Sequence, residues 1–331
     1  MSSQHSISSP LLSVQALQIN YRVVYRGTQR LLPAVNAVSF AIERGESLGV
    51  VGESGSGKSS IARALLRLID AQSGSVLFRG GDLLRLSGRQ LHAMRRHLQM
   101  IFQDPLASLD PRMQIADIIA EPLLAFESRL SAAQRSRSVL AAMTAVGLDV
   151  GHLQRYPHEF SGGQAQRIGI ARALIAQPDL IVCDEPLSAL DVSIKSQISN
   201  LLKDLQQRRQ LSLLFISHDL AAVRFLCDRV LVLYLGRIME IGHCDVLFDR
   251  PRHPYTRALI QSVPIPDPVL ARARQSVPLK GEIPSPLDAP SGCVFRTRCA
   301  LAVERCRIEV PALRQVGAHY VACHRAEEAD L

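Results

Sequence analysis

The sequence lacks the features of three broad protein classes. Nowhere do about 18 apolar residues follow one another without a charge, so we expect no membrane-spanning helix. The first ten residues, MSSQHSISSP, contain no basic segment followed by an apolar core, and we therefore expect a loose tail there and no secretory signal. No segment recurs at a fixed period, which argues against a solenoid or another repeat architecture.

Dense clusters of basic residues are also absent, although the chain is basic overall. The 38 Lys and Arg residues against 30 Asp and Glu residues give a net charge of +8, but the basic residues are scattered, and groups such as Arg95 with Arg96 are very short. We therefore expect no nucleic-acid partner. A surface near anionic lipid explains the charge as well as an ordinary solvated surface does.

The first three quarters of the chain alternate between two kinds of apolar pattern. Between the apolar runs lie segments with helical spacing, such as Ile61, Leu65, Leu68 and Ile168, Ala171, Ile175. The runs themselves are typical of strands buried on both faces of a parallel sheet, and they span residues 48–51, 98–102, 180–183 and 211–216. This alternation predicts an α/β fold with helices on both faces of the sheet.

Two regions depart from that alternation. Residues 104–160 are rich in Ala, Leu, Arg and Gln with little strand character, which predicts a helical insertion in the α/β core. After VLVLYLGRIMEIG, which predicts two short strands around Gly236, proline and cysteine become frequent. We expect a smaller appendage to begin near residue 250.

The segment GESGSGKSS fits the phosphate-binding pattern G-x-x-x-x-G-K-[ST] and stands between an apolar strand and a helix. Its glycines let successive backbone N–H groups point at phosphate oxygens. Lys58 is expected to reach the β and γ phosphates, and the Ser59 hydroxyl to bind Mg²⁺. The predicted nucleotide-binding residues of this segment, called the P-loop below, are Gly52, Glu53, Ser54, Gly55, Ser56, Gly57, Lys58, Ser59 and Ser60.

The segment LIVCDEP predicts a buried strand that ends in two carboxylates. Asp184 fits a ligand of the Mg²⁺ ion in a nucleotide hydrolase. Glu185, one position further out, is placed to polarise the attacking water. An acidic pair at a strand end is more often a solvated turn, but the P-loop in the same chain outweighs that interpretation.

The segment FSGGQAQR predicts a second helix end suited to phosphate. Ser161 can cap the helix, while Gly162 and Gly163 leave the N–H groups of its first turn bare, with Gln164 next in line. One nucleotide does not need two such sites on one chain. Here the sequence resembles the nucleotide-binding subunits of ABC transporters, in which this signature loop closes on the γ phosphate held by the partner subunit's P-loop.

The resemblance implies roles for further residues. Gln103 in IFQDP matches the glutamine that contacts Mg²⁺ and relays to the transmembrane partner, and His218 in FISHDL matches the histidine that contacts the γ phosphate. Tyr21 is the candidate for stacking on adenine, with Tyr25 as the alternative. The D-loop of the dimer interface is matched by Ser188, Ala189, Leu190 and Asp191.

The segments RPRHPYTRALIQSVP and GEIPSPLDAPSGCVF narrow the resemblance to the ATPase subunits of the oligopeptide, dipeptide and nickel importers, in particular the F-type subunit. The implied fold is a P-loop ATPase of the ABC type with a helical subdomain and a small Cys/Pro-rich C-terminal appendage. Its implied divisions are a tail over 1–11, the ATPase domain over 12–250 with the helical subdomain over 104–160, and the C-terminal region over 251–331.

The resemblance also implies a function and partners. The chain would hydrolyse ATP with Mg²⁺ to power peptide import from the cytoplasmic face of the inner membrane. Its partners would be a paralogous ATPase subunit, two transmembrane permease subunits and an extracytoplasmic solute-binding protein. An importer of nickel, glutathione or another small solute is the alternative. A soluble ABC ATPase is another, but such proteins typically carry a long coiled-coil insertion or two ATPase cassettes, and this sequence has neither.

Four of the seven cysteines form the pattern C-x5-C-x6-C-x16-C at Cys293, Cys299, Cys306 and Cys323. Without a C-x-x-C pair they do not match a zinc ribbon, and soft sulfur ligands suit either zinc or a [4Fe–4S] cluster. Similar tails in the peptide importers resemble iron–sulfur modules, which favours the cluster over zinc or plain thiols. His319 and His324 are candidate replacement ligands. We expect the other three cysteines to be core or incidental residues.

Overall fold

The computed structural model describes residues 9–263 and 281–328. Most of the predicted N-terminal tail lies outside these ranges, as does the end of the proline-rich segment that follows residue 250. The strands of the described chain are β1 (Leu12–Tyr25), β2 (Thr28–Ile42), β3 (Ser47–Val51), β4 (Ser73–Phe78), β5 (Gly81–Asp82), β6 (Leu98–Ile101), β7 (Leu180–Asp184), β8 (Ser212–Ile216), β9 (Arg229–Tyr234), β10 (Arg237–His243), β11 (Arg314–Val316) and β12 (His319–Val321).

The central sheet has the strand order β11-β12-β10-β9-β3-β8-β7-β6. Its five strands from β9 to β6 are parallel, which confirms the strands predicted from the apolar runs. Alternate residues of each strand belong to two different apolar clusters, as with Leu213 on one face and Leu214 on the other. The sheet is therefore buried on both faces.

A second sheet, of order β2-β1-β4-β5, is antiparallel and was not predicted. Its strands contribute Leu12, Val14 and Phe78 to the same cluster that holds helix residue Ile61 and the β3 residue Val50. The two sheets therefore enclose the first helix between them, directly after the P-loop.

The helices of the described chain are α1 (Lys58–Leu65), α2 (Gly88–Arg95), α3 (Ile115–Phe126), α4 (Ala132–Ala145), α5 (Gly162–Ile175), α6 (Val192–Arg209), α7 (Leu220–Leu226), α8 (Cys244–Asp249), α9 (Pro254–Gln261) and α10 (Arg305–Ile308). Ile168, Ala171 and Ile175 are buried in α5 as expected. The prediction that Leu68 belongs to the apolar face of α1 is wrong, because Leu68 lies beyond the helix and is 51% exposed. The helix ends because Arg67 adopts a left-handed conformation with φ 49°.

Residues 104–160 contain α3, α4 and two short 3-10 helices, and this stretch, described throughout, has no strand. The helices pack on α5 through Ile118, Ile119 and Met143, which belong to one apolar cluster with Ile168. The helical content therefore agrees with the prediction, while the subdomain limits remain a prediction. None of the helices in residues 9–263 and 281–328 is long and apolar enough to cross a membrane.

The C-terminal region joins the central sheet at its edge. Strand β12 pairs antiparallel with β10 and brings Val321 opposite Glu240. Glu240 is fully buried and faces His319, whose Nδ1 lies 2.7 Å from its Oε1. The N–H groups of Arg252 and His253 donate to the same carboxylate at 2.9 and 3.0 Å. These bonds fix both parts of the C-terminal region to the core.

Candidate nucleotide-binding site

The P-loop occupies the turn between β3 and α1. Gly57 precedes the helix with φ 105°, and a Cβ there would lie 2.3 Å from the Ala34 carbonyl oxygen. Only glycine fits that position without moving the backbone. The Ser56 hydroxyl is buried and has no hydrogen-bond partner among the described residues, which suits a loop that binds a polar ligand.

Lys58 is the first residue of α1 and is 5% exposed. Its Nζ donates to the carbonyl oxygens of Gly52 and Glu53, both at 2.9 Å. Burial lowers the pKa of Lys58, and the nearby carboxylates of Glu185, Asp184 and Glu53 oppose that change. A buried ammonium group inside a loop of backbone N–H donors is suited to bind phosphate.

Ser59 and Asp184 face each other across the loop. The Ser59 hydroxyl donates to Asp184 Oδ1 at 2.9 Å, and Asp184 lies at the buried end of β7. Burial raises the pKa of Asp184, and the bond from Ser59 opposes that change. A hydroxyl beside a carboxylate provides the oxygen ligands that Mg²⁺ prefers. These two side chains therefore fit a magnesium ion at a bound nucleotide.

Three polar side chains converge at the carboxyl ends of β6, β7 and β8. Gln103 Nε2 donates to Glu185 Oε2 at 3.3 Å, and His218 Nδ1 lies 3.3 Å from the same oxygen. Glu185 has φ 47°, a left-handed conformation that its N–H bond to Ile216 O at 3.0 Å helps to hold. The predicted glutamine, glutamate and histidine thus form one connected group, called the hydrolytic group below.

The two tyrosine candidates have different surroundings. The Tyr21 hydroxyl donates to Ser60 Oγ at 3.1 Å, so its ring stands next to the first turn of α1. Tyr25 lies at the tip of the β1–β2 hairpin with the guanidinium groups of Arg26 and Arg30 over its ring. The structure therefore brings Tyr21, and not Tyr25, into contact with the P-loop.

The signature segment forms the N-terminus of α5. Ser161 caps the helix, its hydroxyl accepting from the Gln164 N–H at 3.4 Å while the Gln164 side chain accepts from the Ser161 N–H at 3.0 Å. Ser161 and Gly162 are exposed, and a Cβ at Gly163 would lie 2.6 Å from Ile194 Cγ2. Within the described residues no hydrogen bond or ion pair joins this helix end to the P-loop.

The D-loop continues the same exposed surface. Ser188 Oγ donates to the Glu185 carbonyl oxygen at 3.0 Å, which ties the loop to the hydrolytic group. Leu190 lies beside Gly162, and Asp191 is the N-cap residue of α6. Ala189 is exposed as well. Val192, which directly follows the D-loop, is 81% exposed.

Sequence reasoning missed two C-terminal contacts of the P-loop. The Glu53 N–H donates to the Tyr255 hydroxyl at 2.9 Å, and the Glu53 carboxylate pairs with Arg298. Tyr255 lies in a segment that the sequence singled out only as a mark of the subgroup, and Arg298 lies between Cys293 and Cys299, which were singled out as candidate metal ligands. No motif spacing connects them to the P-loop, so the sequence contained no signal for this contact.

The four C-terminal thiols are free; Cys293 and Cys306 are buried, and Cys299 and Cys323 are half-buried. Burial raises the pKa of Cys293 and of Cys299 to about 11, and nearby thiols of the same group add to both shifts. The Arg325 N–H donates to Cys323 Sγ at 3.4 Å. In the described part of the chain, however, no three His, Cys, Asp or Glu side chains are arranged as a metal-binding group.

Neither histidine considered as a replacement ligand is turned to the thiols. His319 is paired with Glu240, and His324 Nε2 lies 3.0 Å from the Glu309 carbonyl oxygen. The remaining cysteines, Cys183, Cys227 and Cys244, are buried in the apolar core, as expected.

Comparisons with known proteins agree with this geometry. Residues 35–188 match the family model described as ABC transporter, and residues 239–306 match the oligopeptide/dipeptide transporter C-terminal region. The oligopeptide transport ATP-binding protein OppF of Haemophilus influenzae is 52% identical over 319 residues, 95% of this chain and 96% of that protein. OppF of Salmonella typhimurium is 53% identical over 298 residues, 90% of this chain and 89% of that protein.

A solved structure gives the same result for the fold. The ATP-binding cassette MJ0796, in a dimeric post-hydrolysis state bound to ADP and Pi, is 26% identical with a TM-score of 0.64. The match covers 70% of this chain and 98% of that chain.

Proposed function

This chain belongs to the ABC transporter family as an ATP-binding subunit, and on that premise we propose that it hydrolyses ATP to power peptide import through a separate permease. The observation that carries the proposal is the match along nearly the whole chain to oligopeptide transport ATP-binding proteins, including the C-terminal region at 239–306. That region lies outside residues 35–188, which match the ABC transporter model, so it bears on the class of transporter.

In the proposed reaction Lys58 leaves the carbonyl oxygens of Gly52 and Glu53 and binds the phosphates of ATP. Ser59, Gln103 and Asp184 would hold Mg²⁺, which would supply positive charge to neutralise the phosphates during the transfer. Glu185 orients the attacking water and accepts its proton, and His218 contacts the γ phosphate. The connected hydrogen bonds of Gln103, Glu185 and His218 support these assignments.

We propose that the complete site needs a second ATPase subunit. Ser161 and Gly162 are exposed, as are Ala189 and Asp191 of the D-loop, and Leu190 lies beside Gly162, so these residues form one surface. Two subunits facing head to tail would place Ser161 and Gly163 of one on the phosphates held by Lys58 of the other. The dimeric form of the similar cassette supports this arrangement. The partner would be a paralogous chain.

The permease partner is proposed from a groove between the central sheet and α3. The groove has a volume of about 930 Å³, and Phe102, Gln103, Pro122 and Phe126 line it. Phe102 is 41% exposed there. Because Gln103 also bonds Glu185, a permease segment in this groove would sense the state of the hydrolytic group. Two such permease subunits would hold the ATPases at the cytoplasmic membrane face, with a solute-binding protein outside.

Uptake by cells that lack their own copy of this chain tests the proposed substrate class. Cells supplied with the chain should regain uptake of labelled di- or oligopeptides, with nickel and glutathione uptake unchanged. Restored uptake of nickel or glutathione alone would contradict the peptide assignment and support the alternative importer. No change in the uptake of any of the three would favour an ABC ATPase that does not serve transport.

Iron–sulfur binding by Cys293, Cys299, Cys306 and Cys323 stays a prediction. Thiolate sulfur suits iron, but the described residues do not form an assembled metal site. Protein purified without oxygen should contain about four iron and four acid-labile sulfide per chain, since a [4Fe–4S] cluster has that composition. The variant Cys299→Ser should lose them, and Cys244→Ser, at a buried thiol outside the group, should keep them. Zinc, or no metal, would contradict the prediction.

A further inference from the structure

We propose that Arg298, in the cysteine-containing C-terminal segment, is a positioning residue that holds the P-loop ready for the phosphates by neutralising Glu53. The proposal rests on the proposed function, because it assumes that the loop binds a nucleotide. It gives the C-terminal region a direct role at the ATP site.

Arg298 forms a bidentate ion pair with the Glu53 carboxylate through both of its terminal nitrogens. Arg298 Nη1 lies 2.5 Å from Glu53 Oε2, and Arg298 Nη2 lies 3.0 Å from Glu53 Oε1. The Arg298 side chain is 6% exposed and the Glu53 side chain 22%. Glu53 raises the pKa of Arg298, so the guanidinium stays charged. A bidentate ion pair of this kind fixes the orientation of both side chains.

An aromatic cluster fixes Arg298 in turn. Its guanidinium lies 5.9 Å from the centre of the Tyr234 ring. The Phe295 ring, three residues earlier, packs on Tyr234 at 5.4 Å and on Tyr255 at 5.3 Å. Tyr255 also accepts the bond from the Glu53 N–H. The C-terminal region therefore holds both the backbone and the side chain of one P-loop residue.

The charge of Glu53 explains why its ion pair with Arg298 matters for phosphate binding. Glu53 is among the carboxylates whose charge acts on Lys58, and its carbonyl oxygen accepts a bond from Lys58 Nζ. Without Arg298, the Glu53 carboxylate would compete with the phosphates for Lys58 and repel them. With Arg298 in place, the pair is neutral and Lys58 remains available.

A double-mutant cycle tests the proposal on the purified full chain, with MgATP affinity measured by calorimetry. Arg298→Gln should weaken MgATP binding about tenfold, since an unpaired, partly buried carboxylate is left beside the loop. In the Glu53→Gln background the same substitution should change the affinity less than about twofold, because no charge then needs neutralising. Arg296→Gln is the matched control, since among the described residues the Arg296 side chain bonds only Ser291.

The cycle separates positioning from folding. If Arg298→Gln weakened binding equally in both backgrounds, Arg298 would act only through the stability of the C-terminal region, and the proposal would fail. Normal MgATP binding by Arg298→Gln would also overturn it. If Arg298→Gln does not fold, Tyr255→Phe removes only the hydroxyl and should weaken MgATP binding in folded protein; unchanged affinity would contradict the proposal. A wild-type chain that did not bind MgATP would overturn the proposed function itself.

Discussion

Glu185 is the residue on which the proposed chemistry depends most. Its left-handed backbone, with φ 47°, turns the side chain out of β7 at the point where Gln103 and His218 reach it. A non-glycine residue in this conformation is strained, and such strain is concentrated at functional sites. Asp184, its neighbour in sequence, stays in the strand and bonds Ser59.

Replacing Glu185 by Gln should abolish ATP turnover and leave ATP binding intact. The amide keeps the shape of the side chain but cannot accept the proton of the attacking water, and loss of a general base costs about 10²–10⁴-fold in rate. The measurement is ATP hydrolysis by the assembled complex, with bound nucleotide measured in parallel. Glu304→Gln, at an exposed carboxylate of the C-terminal region, is the control and should keep normal turnover. Near-normal hydrolysis by Glu185→Gln would show that another group is the base.

Sequence patterns predicted residues of the site that belong to short motifs. Asp184 ends a buried strand, while Lys58, Ser59 and Glu185 follow buried strands, and the carboxyl ends of parallel strands lie at one edge of a sheet. The Arg298 contact could not be predicted, because 245 residues separate it from Glu53 and no motif relates them.

At the scale of elements, the strand–loop–helix unit of β3, P-loop and α1 is the part that the sequence specified best. Its apolar strand and its glycine spacing fix both the position and the shape of the loop. The antiparallel sheet of β1, β2, β4 and β5 was missed, since bulges interrupt its alternation, as between Val14 and Leu17. Strand β12 has three residues, too few for a pattern.

Two glycines of the P-loop should respond differently to alanine. Both have positive φ, so each substitution carries the cost of a left-handed residue, about 1–2 kcal/mol. At Gly57 the new Cβ would also lie 2.3 Å from the Ala34 carbonyl oxygen, whereas at Gly55 nothing lies within 4 Å. The free energy of unfolding, measured with urea, should therefore fall clearly more for Gly57→Ala than for Gly55→Ala. Equal losses would contradict the close packing of the loop against β2.

At the scale of the whole molecule, the described parts of the C-terminal region pack on the ATPase core. It extends the central sheet through β12, places His319 on the buried Glu240, and reaches the P-loop with Arg298. The sequence predicts a smaller appendage because proline and cysteine become frequent there, and the limits of this region stay a prediction. Composition does not indicate which strand edge a segment will join.

The attachment of this region should weaken in acid. Burial lowers the pKa of His253 from 6.5 to about 4. As the pH falls through this range, the His253 imidazole is therefore protonated in the unfolded chain but stays neutral in the folded chain. The free energy of unfolding should therefore decrease between about pH 6.5 and pH 4, by about 3 kcal/mol in total. Burial would raise the pKa of Glu240, but hydrogen bonds from His319 and two backbone N–H groups hold it below its ordinary value. Its contribution is lost at still lower pH.

Urea unfolding across this pH range measures the effect. The variant His253→Gln should lose most of the slope between pH 6.5 and 4, whereas His158→Gln, at an exposed histidine, should keep it. A slope that is the same in the wild type and in His253→Gln would assign the acid sensitivity to other groups.

The most direct test of the central claim, that ATP hydrolysis at Glu185 powers peptide import, is peptide uptake in cells whose only copy of this chain is wild type or Glu185→Gln. With both proteins present at equal levels, the wild type should support uptake of a labelled oligopeptide and the variant should not. Uptake at the wild-type rate in cells carrying Glu185→Gln would contradict the account.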